Sequence, residues 1–238
     1  MDHCKRQRIQ VLGQLLAGCV LACAVLLHTS ASAGVRYIAG TGEPAIGFPE
    51  NYIYWIARNP SLGESGHVAF TGAADTSVFS TPANTPAVWA GMPGDIRLVI
   101  KEGDTIEGLP ANVLFEDVAY ESNYERAAPV VTSYGNLAIW ASLKGAVVFN
   151  SSDQALLARR DGIFSKVIRT GDAAVGFAPG TTVRSFRAYA FSEAGMAIQG
   201  TVGGVDNGSA LWFWNNDSLQ LLAGTGGADP LHANCTIN

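Results

Sequence analysis

Charged residues are scarce in this 238-residue chain, where Asp, Glu, Lys and Arg together make up 15%. A typical soluble protein has about 25%. This scarcity argues against coiled coils and long solvent-exposed helices, which are rich in these residues. The hydrophobic fraction of 48% also excludes a disordered chain, because disorder requires low hydrophobicity and high net charge.

Basic residues and cysteines are also few. Residues 1–33 hold three of the 15 Lys and Arg and one of the 20 Asp and Glu, which leaves 12 against 19 in the remainder. This acidic balance predicts no nucleic-acid binding, since that function requires a basic face. Cys235 is the single cysteine after residue 33. The later part of the chain therefore cannot form an internal disulfide.

The first 33 residues differ from the rest and predict an export signal. Basic residues occur within residues 5–8, no charged residue lies in 9–33, and an A-x-A cleavage site ends at Ala33. Residues 1–33 are therefore interpreted as a secretory signal peptide, which predicts a secreted, cell-surface or periplasmic protein. Two alternatives stay open: an uncleaved anchor helix, and a lipoprotein signal in which Cys19 is the lipidated residue. No second apolar segment follows, so no membrane span is predicted after cleavage.

Glycine is plentiful, at 27 residues, and much of it belongs to a repeated element. Each copy has a hydrophobic residue, a Gly seven positions later and, in three of four copies, a second Gly five positions further on. An acidic residue directly follows the first Gly in these three copies and is expected to cap a turn through bonds to the backbone. The first Gly residues are Gly42, Gly103, Gly171 and Gly226, the second are Gly47, Gly108 and Gly176, and the acidic residues are Glu43, Asp104 and Asp172.

A second element lies 16 residues before the last three of these first Gly residues. It consists of Ala, then Val or Leu, then Trp or Leu, and it begins at Ala87, Ala155 and Ala210. Turn-forming residues separate the two elements, which predicts a β-hairpin. Two further apolar stretches precede each hairpin, so each unit has four strand candidates, named a, b, c and d in chain order. The units end near residues 103, 171 and 226.

Four short strands per unit predict an all-β fold of tandem blades resembling a β-propeller over residues 34–229. A lone four-stranded sheet cannot bury both faces, whereas stacked sheets can. Trp89 and Trp212 occupy equivalent positions and are assigned to the core between sheets rather than to a ligand platform. Residues 230–238 show no strand pattern and are expected to form an unstructured tail.

The segment from Leu62 to Phe70 resembles the repeat of a bacterial surface family, the choice-of-anchor tandem-repeat proteins named for their N-x-x-G-x-x-A-F motif. The resemblance covers about residues 34–229 and implies a secreted β-repeat protein with no established activity. The chain departs from the family pattern because it has no hydrophobic C-terminal anchor segment. Gly63, Thr132 and Ser192 replace the motif Asn, and Ala69-Phe70 becomes Ala138-Ile139 in the second unit and Ile198-Gln199 in the third.

Strand counting predicts an incomplete propeller. A lone d strand over residues 35–39 precedes three complete units, and the last unit already has its own d strand. The first strand therefore has no partner blade. The chain is therefore predicted to be part of a longer propeller that is cut short after Gly226, as a truncated or diverged gene product. The alternative is a ring that is completed by association with a second chain.

The sequence predicts no catalytic, metal or cofactor site. Catalytic triads and two-His metal sites need partners, and only His67 and His232 follow residue 33. A nucleophile role for Ser65 is rejected, since the repeat accounts for the glycines around it. One candidate binding site is an acidic and aromatic insertion in the second unit, where a loop is free to vary. Its residues are Glu116, Tyr120, Glu121, Tyr124 and Arg126.

The favoured interpretation is a secreted or cell-surface, non-enzymatic β-repeat protein that binds an unknown extracellular ligand or surface polymer or serves a structural role. The first alternative is an extracellular hydrolase or lyase acting on polysaccharide, with carboxylates such as Glu116, Glu121 and Asp206. The second alternative is a nonfunctional remnant.

Mass spectrometry of the exported protein tests the signal-peptide prediction. We expect a mature N-terminus at Gly34. A diacylated N-terminus at Cys19 identifies the lipoprotein signal instead, and an intact start identifies the anchor helix.

Overall fold

A computed structural model describes residues 36–76, 84–119, 127–145, 153–215, 217–225, 228–229 and 232–236. The chain divides into two units, Met1–Arg36 and Tyr37–Asn238. The predicted signal peptide lies outside the described residues. In the part of the chain that the structure describes, there is no helix with the length and apolar character needed to cross a membrane.

Three antiparallel sheets follow one another along the described chain, each with its strands in sequence order. The first comprises β1 (Ile53–Leu62), β2 (Val68–Asp75), β3 (Thr85–Met92) and β4 (Asp95–Lys101). The second comprises β5 (Val113–Val118), β6 (Val130–Val131), β7 (Leu137–Gly145), β8 (Gln154–Arg160) and β9 (Ile163–Arg169). The third comprises β10 (Thr182–Ser192), β11 (Gly195–Gly203), β12 (Gly208–Trp214) and β13 (Leu219–Gly224). A small hairpin follows, of β14 (Ala228–Asp229) and β15 (His232–Thr236).

The predicted all-β class and the three a-b-c-d units are confirmed. In the second unit strand a is split, since β5 and β6 pair with successive parts of β7. The expected lone strand over residues 35–39 is wrong over its described part, because residues 36–39 pair with no described strand. Strand β15 lies in the segment expected to be unstructured, where pairing with β14 satisfies backbone groups without an alternating apolar pattern.

The connection before each sheet is a turn whose backbone bonds repeat almost atom for atom. In the second copy the Gly103 amide donates to the Phe115 carbonyl at 2.9 Å and the Phe115 amide donates to the Asp104 carbonyl at 3.0 Å. The Asp104 carboxylate accepts from the Lys101 amide at 2.9 Å. Glu43 and Asp172 accept the equivalent bonds from Gly40 and Arg169, which confirms the expected capping role. All six repeated glycines of these three copies have φ between 80° and 89°.

The register of the third unit differs from the sequence alignment by one residue. Phe70 lies opposite Trp89 in the first sheet, and Ile198 lies opposite Trp212 in the third. Ala197-Ile198 is therefore the structural counterpart of Ala69-Phe70, and the expected equivalence of Ile198-Gln199 is wrong. The cause is a shorter a–b turn, since Ser192 pairs directly with Gly195.

Apolar packing joins the three sheets. Residues 137–141 of β7 are at most 4% exposed, although successive strand residues point to opposite faces. Both faces of the middle sheet are therefore buried. One hydrophobic cluster contains side chains from all three sheets, including Val88, Leu156 and Trp212. A second cluster covers the other face of the first sheet, and residues 38–52 contribute to it.

The two equivalent tryptophans are fully buried. Trp212 lies in the cluster that the three sheets share, as expected, whereas Trp89 lies in the second cluster with residues of the first sheet and its connection, so its expected position between sheets is wrong. The Trp89 indole N–H donates to the Ile46 carbonyl at 2.9 Å, and the Trp212 N–H donates to the Val175 carbonyl at 3.1 Å. Trp89 also stacks on Phe70 with a centroid distance of 5.4 Å. Each tryptophan is thus hydrogen-bonded to the connection that precedes its own sheet.

Two alanine substitutions test the role of these connections. Gly103→Ala places a side chain on a left-handed backbone without any steric contact, since nothing lies within 4 Å of the added Cβ. It should lower the free energy of unfolding by about 1–2 kcal/mol. Gly176→Ala also places a Cβ 2.6 Å from the Leu221 Cβ, so it should cost about 1–3 kcal/mol more. Urea unfolding measures both losses of stability. Equal losses would show that the close contact between Gly176 and Leu221 does not constrain the connection.

Candidate functional site

The turns between strands a and b of all three sheets meet in one groove of about 390 Å³. We call this the a–b groove. Its lining consists of residues 62–64 from the first sheet, 131–133 from the second and 191–194 from the third. It is the place in the described structure where one kind of repeated turn from every unit contributes to a single surface.

The first two turns have the same backbone construction. The Gly63 amide donates to the His67 carbonyl at 2.7 Å, and the Gly66 amide donates to the Gly63 carbonyl at 2.9 Å. Thr132 and Gly135 make the corresponding bonds in the second sheet, at 2.9 and 3.1 Å. The N-x-x-G positions of the repeat therefore define these turns.

Neighbouring turns are hydrogen-bonded to one another. The Ser65 hydroxyl donates to the Ser133 carbonyl, which joins the first turn to the second. The Glu193 carboxylate accepts from the Tyr134 amide at 3.0 Å and from the Asn136 side chain at 2.8 Å, which joins the third turn to the second. The second turn is thus hydrogen-bonded to the turns on both sides of it, which fixes the shape of the groove.

Close backbone approach also fixes the first turn. A Cβ added at Gly63 would lie 2.6 Å from the Thr132 carbonyl oxygen. The larger Asn of the N-x-x-G motif would collide there unless the turns moved apart. The departure from the motif at this position therefore has a packing cause.

Glu193 is the main electrostatic feature of the groove. Burial alone would raise the pKa of this carboxyl, but hydrogen bonds from the second turn, including the Tyr134 amide and Asn136, and the charge of Arg160 hold the pKa below its ordinary value. The Arg160 side chain donates to the Glu193 carbonyl at 3.4 Å and lies 5.3 Å from the Trp214 ring centre. The carboxylate is therefore kept charged and fixed in position at neutral pH.

Two large side chains at the a–b turns remain open to solvent: Leu62 lines the groove, and Tyr134 follows the lining residue Ser133. Leu62 is 74% exposed and Tyr134 is 80% exposed. Their backbones lie at or beside the hydrogen-bonded turns, so each presents an apolar surface from a fixed base. Together with the carboxylates of Glu64 and Glu193, they give the groove a mixed apolar and acidic character.

Ser65 and His67 lie side by side in the first turn, with 2.8 Å between the Ser65 Oγ and the His67 Nδ1. The Ser65 hydroxyl donates its one proton to the Ser133 carbonyl. The hydroxyl is thus directed to the neighbouring turn, and the pair is arranged as part of the contact between turns.

The insertion predicted as a binding site is only partly described. Glu116 is exposed at an irregular position between two paired residues of β5. Tyr120, Glu121, Tyr124 and Arg126 lie outside the described residues. Asp206, another carboxylate considered for catalysis, accepts from the Ala178 amide at 3.0 Å and the Thr181 hydroxyl at 3.1 Å. Asp206 therefore stabilises the connection before β10 through hydrogen bonds.

Among the described residues, no group of three or more His, Cys, Asp or Glu side chains is placed to hold a metal ion. The a–b groove was not identified from the sequence, although its turns carry the N-x-x-G spacing. That spacing marks each turn separately. It contains no signal that the three turns lie together.

The pH dependence of stability tests the role of Glu193. Because its pKa is lowered on folding, its contribution is present above the unfolded value of about 4.3 and is lost as the pH falls through the folded value. At pH 7, Glu193→Gln should cost about 0.5–1 kcal/mol, since the carboxylate is partly solvated. The difference from wild type should shrink as the pH falls below the unfolded value and the carboxylate becomes protonated in both states. Glu64→Gln, at the equivalent exposed position, is the matched control, and an equal loss in both variants would refute the role.

Comparison with known proteins supplies a family but no described activity. No curated protein and no solved structure matches the chain. A family described as a family of unknown function, DUF7453, matches residues 19–232. Since the match includes all three sheets, the chain belongs to this family of unknown function.

Proposed function

We propose that this protein is a secreted or cell-surface, non-enzymatic scaffold that binds a surface polymer through the a–b groove. The observation that carries the proposal is the convergence of three repeated turns on one groove. Export is supported by the signal-like composition of residues 1–33. The acidic balance of the remaining sequence favours neutral or basic ligands over nucleic acids.

The groove has the chemistry of a recognition surface. A solvent-facing Tyr134 offers an aromatic ring with a polar hydroxyl, a combination that suits contact surfaces with apolar and wet parts. Glu193 and Glu64 supply acceptors for hydroxyl or amine donors of a ligand. Because the turns are already bonded to each other, binding would require little ordering of the protein.

We also propose that the three sheets are blades of a propeller-like stack. Strand β6 contacts both β1 and β10, so the a strands of successive sheets lie next to one another. The sheets share one apolar cluster across their faces. Inner strands that converge while the sheets stack face to face are typical of propellers. Kinship with the choice-of-anchor repeat proteins is supported by the b-strand motif alone, whose N-x-x-G positions form the first two a–b turns.

Binding to purified polymers tests the proposal. The probes are peptidoglycan, chitin and a glycan array, and we expect binding to at least one of them. Tyr134→Ala, beside the groove lining, should weaken that binding at least tenfold, as for an exposed aromatic contact residue. Ile163→Ala, which removes a large side chain that is 61% exposed at the start of β9, should leave binding unchanged.

Two results would overturn this function. One is the absence of binding to every probe by a folded protein. The other is release of soluble fragments from a polymer, with the activity lost in Glu116→Ala, which would establish the hydrolase or lyase alternative.

A further inference from the structure

The outward face of the third sheet differs from the equivalent faces of the first two sheets. Val88, Leu156 and Leu211 occupy the same position of strand c. Val88 and Leu156 are fully buried, whereas Leu211 is 38% exposed. In strand d, Val99 and Val167 pack against the shared cluster, whereas Leu222 at the same position is 45% exposed. A surface that is core in two repeats is therefore open in the third.

The composition of this open face is that of a packed interface. None of the residues in β11, β12 and β13 is charged, and the charged side chains of this sheet, Arg184 and Arg187, lie on β10 at its edge. A sheet face that meets water normally alternates to polar side chains. Here Leu211 lines an open depression of about 400 Å³ together with Ala210 and Ala223, with Gln199 and Ser209 as the polar neighbours.

The first sheet carries the complementary surface. Its side opposite the middle sheet bears an open apolar groove of about 200 Å³, lined by Ile38, Ala39, Ala57, Arg58, Pro60, Val68 and Phe70. Phe70 corresponds to Ile139 and Ile198, which are fully buried in the shared cluster. The groove thus lies on the face that receives a neighbouring sheet in the second and third units.

We propose that a second copy of this chain docks the outward face of its third sheet onto this groove of the first sheet, and that two copies joined reciprocally close a ring of six sheets. The interface continues the one already present twice within the chain. Six sheets fall within the four to eight blades of known propellers. The closed ring rests on the propeller-like arrangement proposed above, whereas the contact between the two faces does not.

The native mass of the purified full-length protein, measured by light scattering, tests the pairing. We expect twice the polypeptide mass. Leu211→Arg and Leu222→Glu should each give the mass of a single folded chain, because each places a charge in the interface. Val205→Arg changes a residue that is 67% exposed in the β11–β12 turn and should remain paired. A wild type with the mass of one chain, or with a series of higher multiples, overturns the closed pair.

Cross-linking tests which faces meet and does not depend on the charge variants remaining folded. In a background without other cysteines, copies carrying only Leu222→Cys are mixed with copies carrying only Ala57→Cys. A thiol-reactive cross-linker long enough to span the width of one sheet is added, because Leu222 and Ala57 lie on opposite edge strands of their sheets. We expect a cross-linked dimer in the mixture and none from either variant alone, since the two faces differ. A dimer formed by Leu222→Cys alone, or none in the mixture, overturns the proposed docking. Loss of polymer binding without loss of this cross-link would count against the proposed function only.

Discussion

The fold depends on the need of each sheet to cover two apolar faces. Leu156 and Leu157 are neighbours on β8, point to opposite faces and are both fully buried. An isolated four-stranded sheet would expose one of them to water, at a cost of about 1.5–3 kcal/mol for a side chain of this size. Stacking removes this cost, so the sheets are stable as a series rather than singly.

The stacking also explains why some features could be predicted from the sequence and others could not. The connections leave a local trace, because a left-handed backbone at Gly103 and a capping carboxylate at Asp104 require particular residue types. Hence the strands, units and turns followed from spacing alone. The β14–β15 hairpin lacks an alternating apolar pattern, and the one-residue shift in the third unit follows from a shorter turn that the motif spacing conceals.

The a–b groove could not be predicted because it is a product of stacking. Glu193 is separated from Tyr134 by 59 residues, yet its carboxylate accepts a hydrogen bond from the Tyr134 amide. Nothing in either turn specifies this partner. Once the sheets are stacked in register, their turns must lie side by side, and the polar groups of adjacent turns then satisfy one another. The site is therefore set by the core, although its side chains are at the surface.

Repetition and binding are linked by the same geometry. Packing constrains the strand residues, because a substitution such as that of Leu156 would open a cavity between two sheets. The exposed ends of the turns have no such constraint, and Ser65 and Tyr134 differ at the equivalent exposed position while the Gly66 and Gly135 backbones agree. In a ring closed by rotation about one axis, the a–b grooves of both copies would open at the same end. A repetitive polymer would then meet two equivalent grooves, and the second contact would benefit from the effective concentration created by the first.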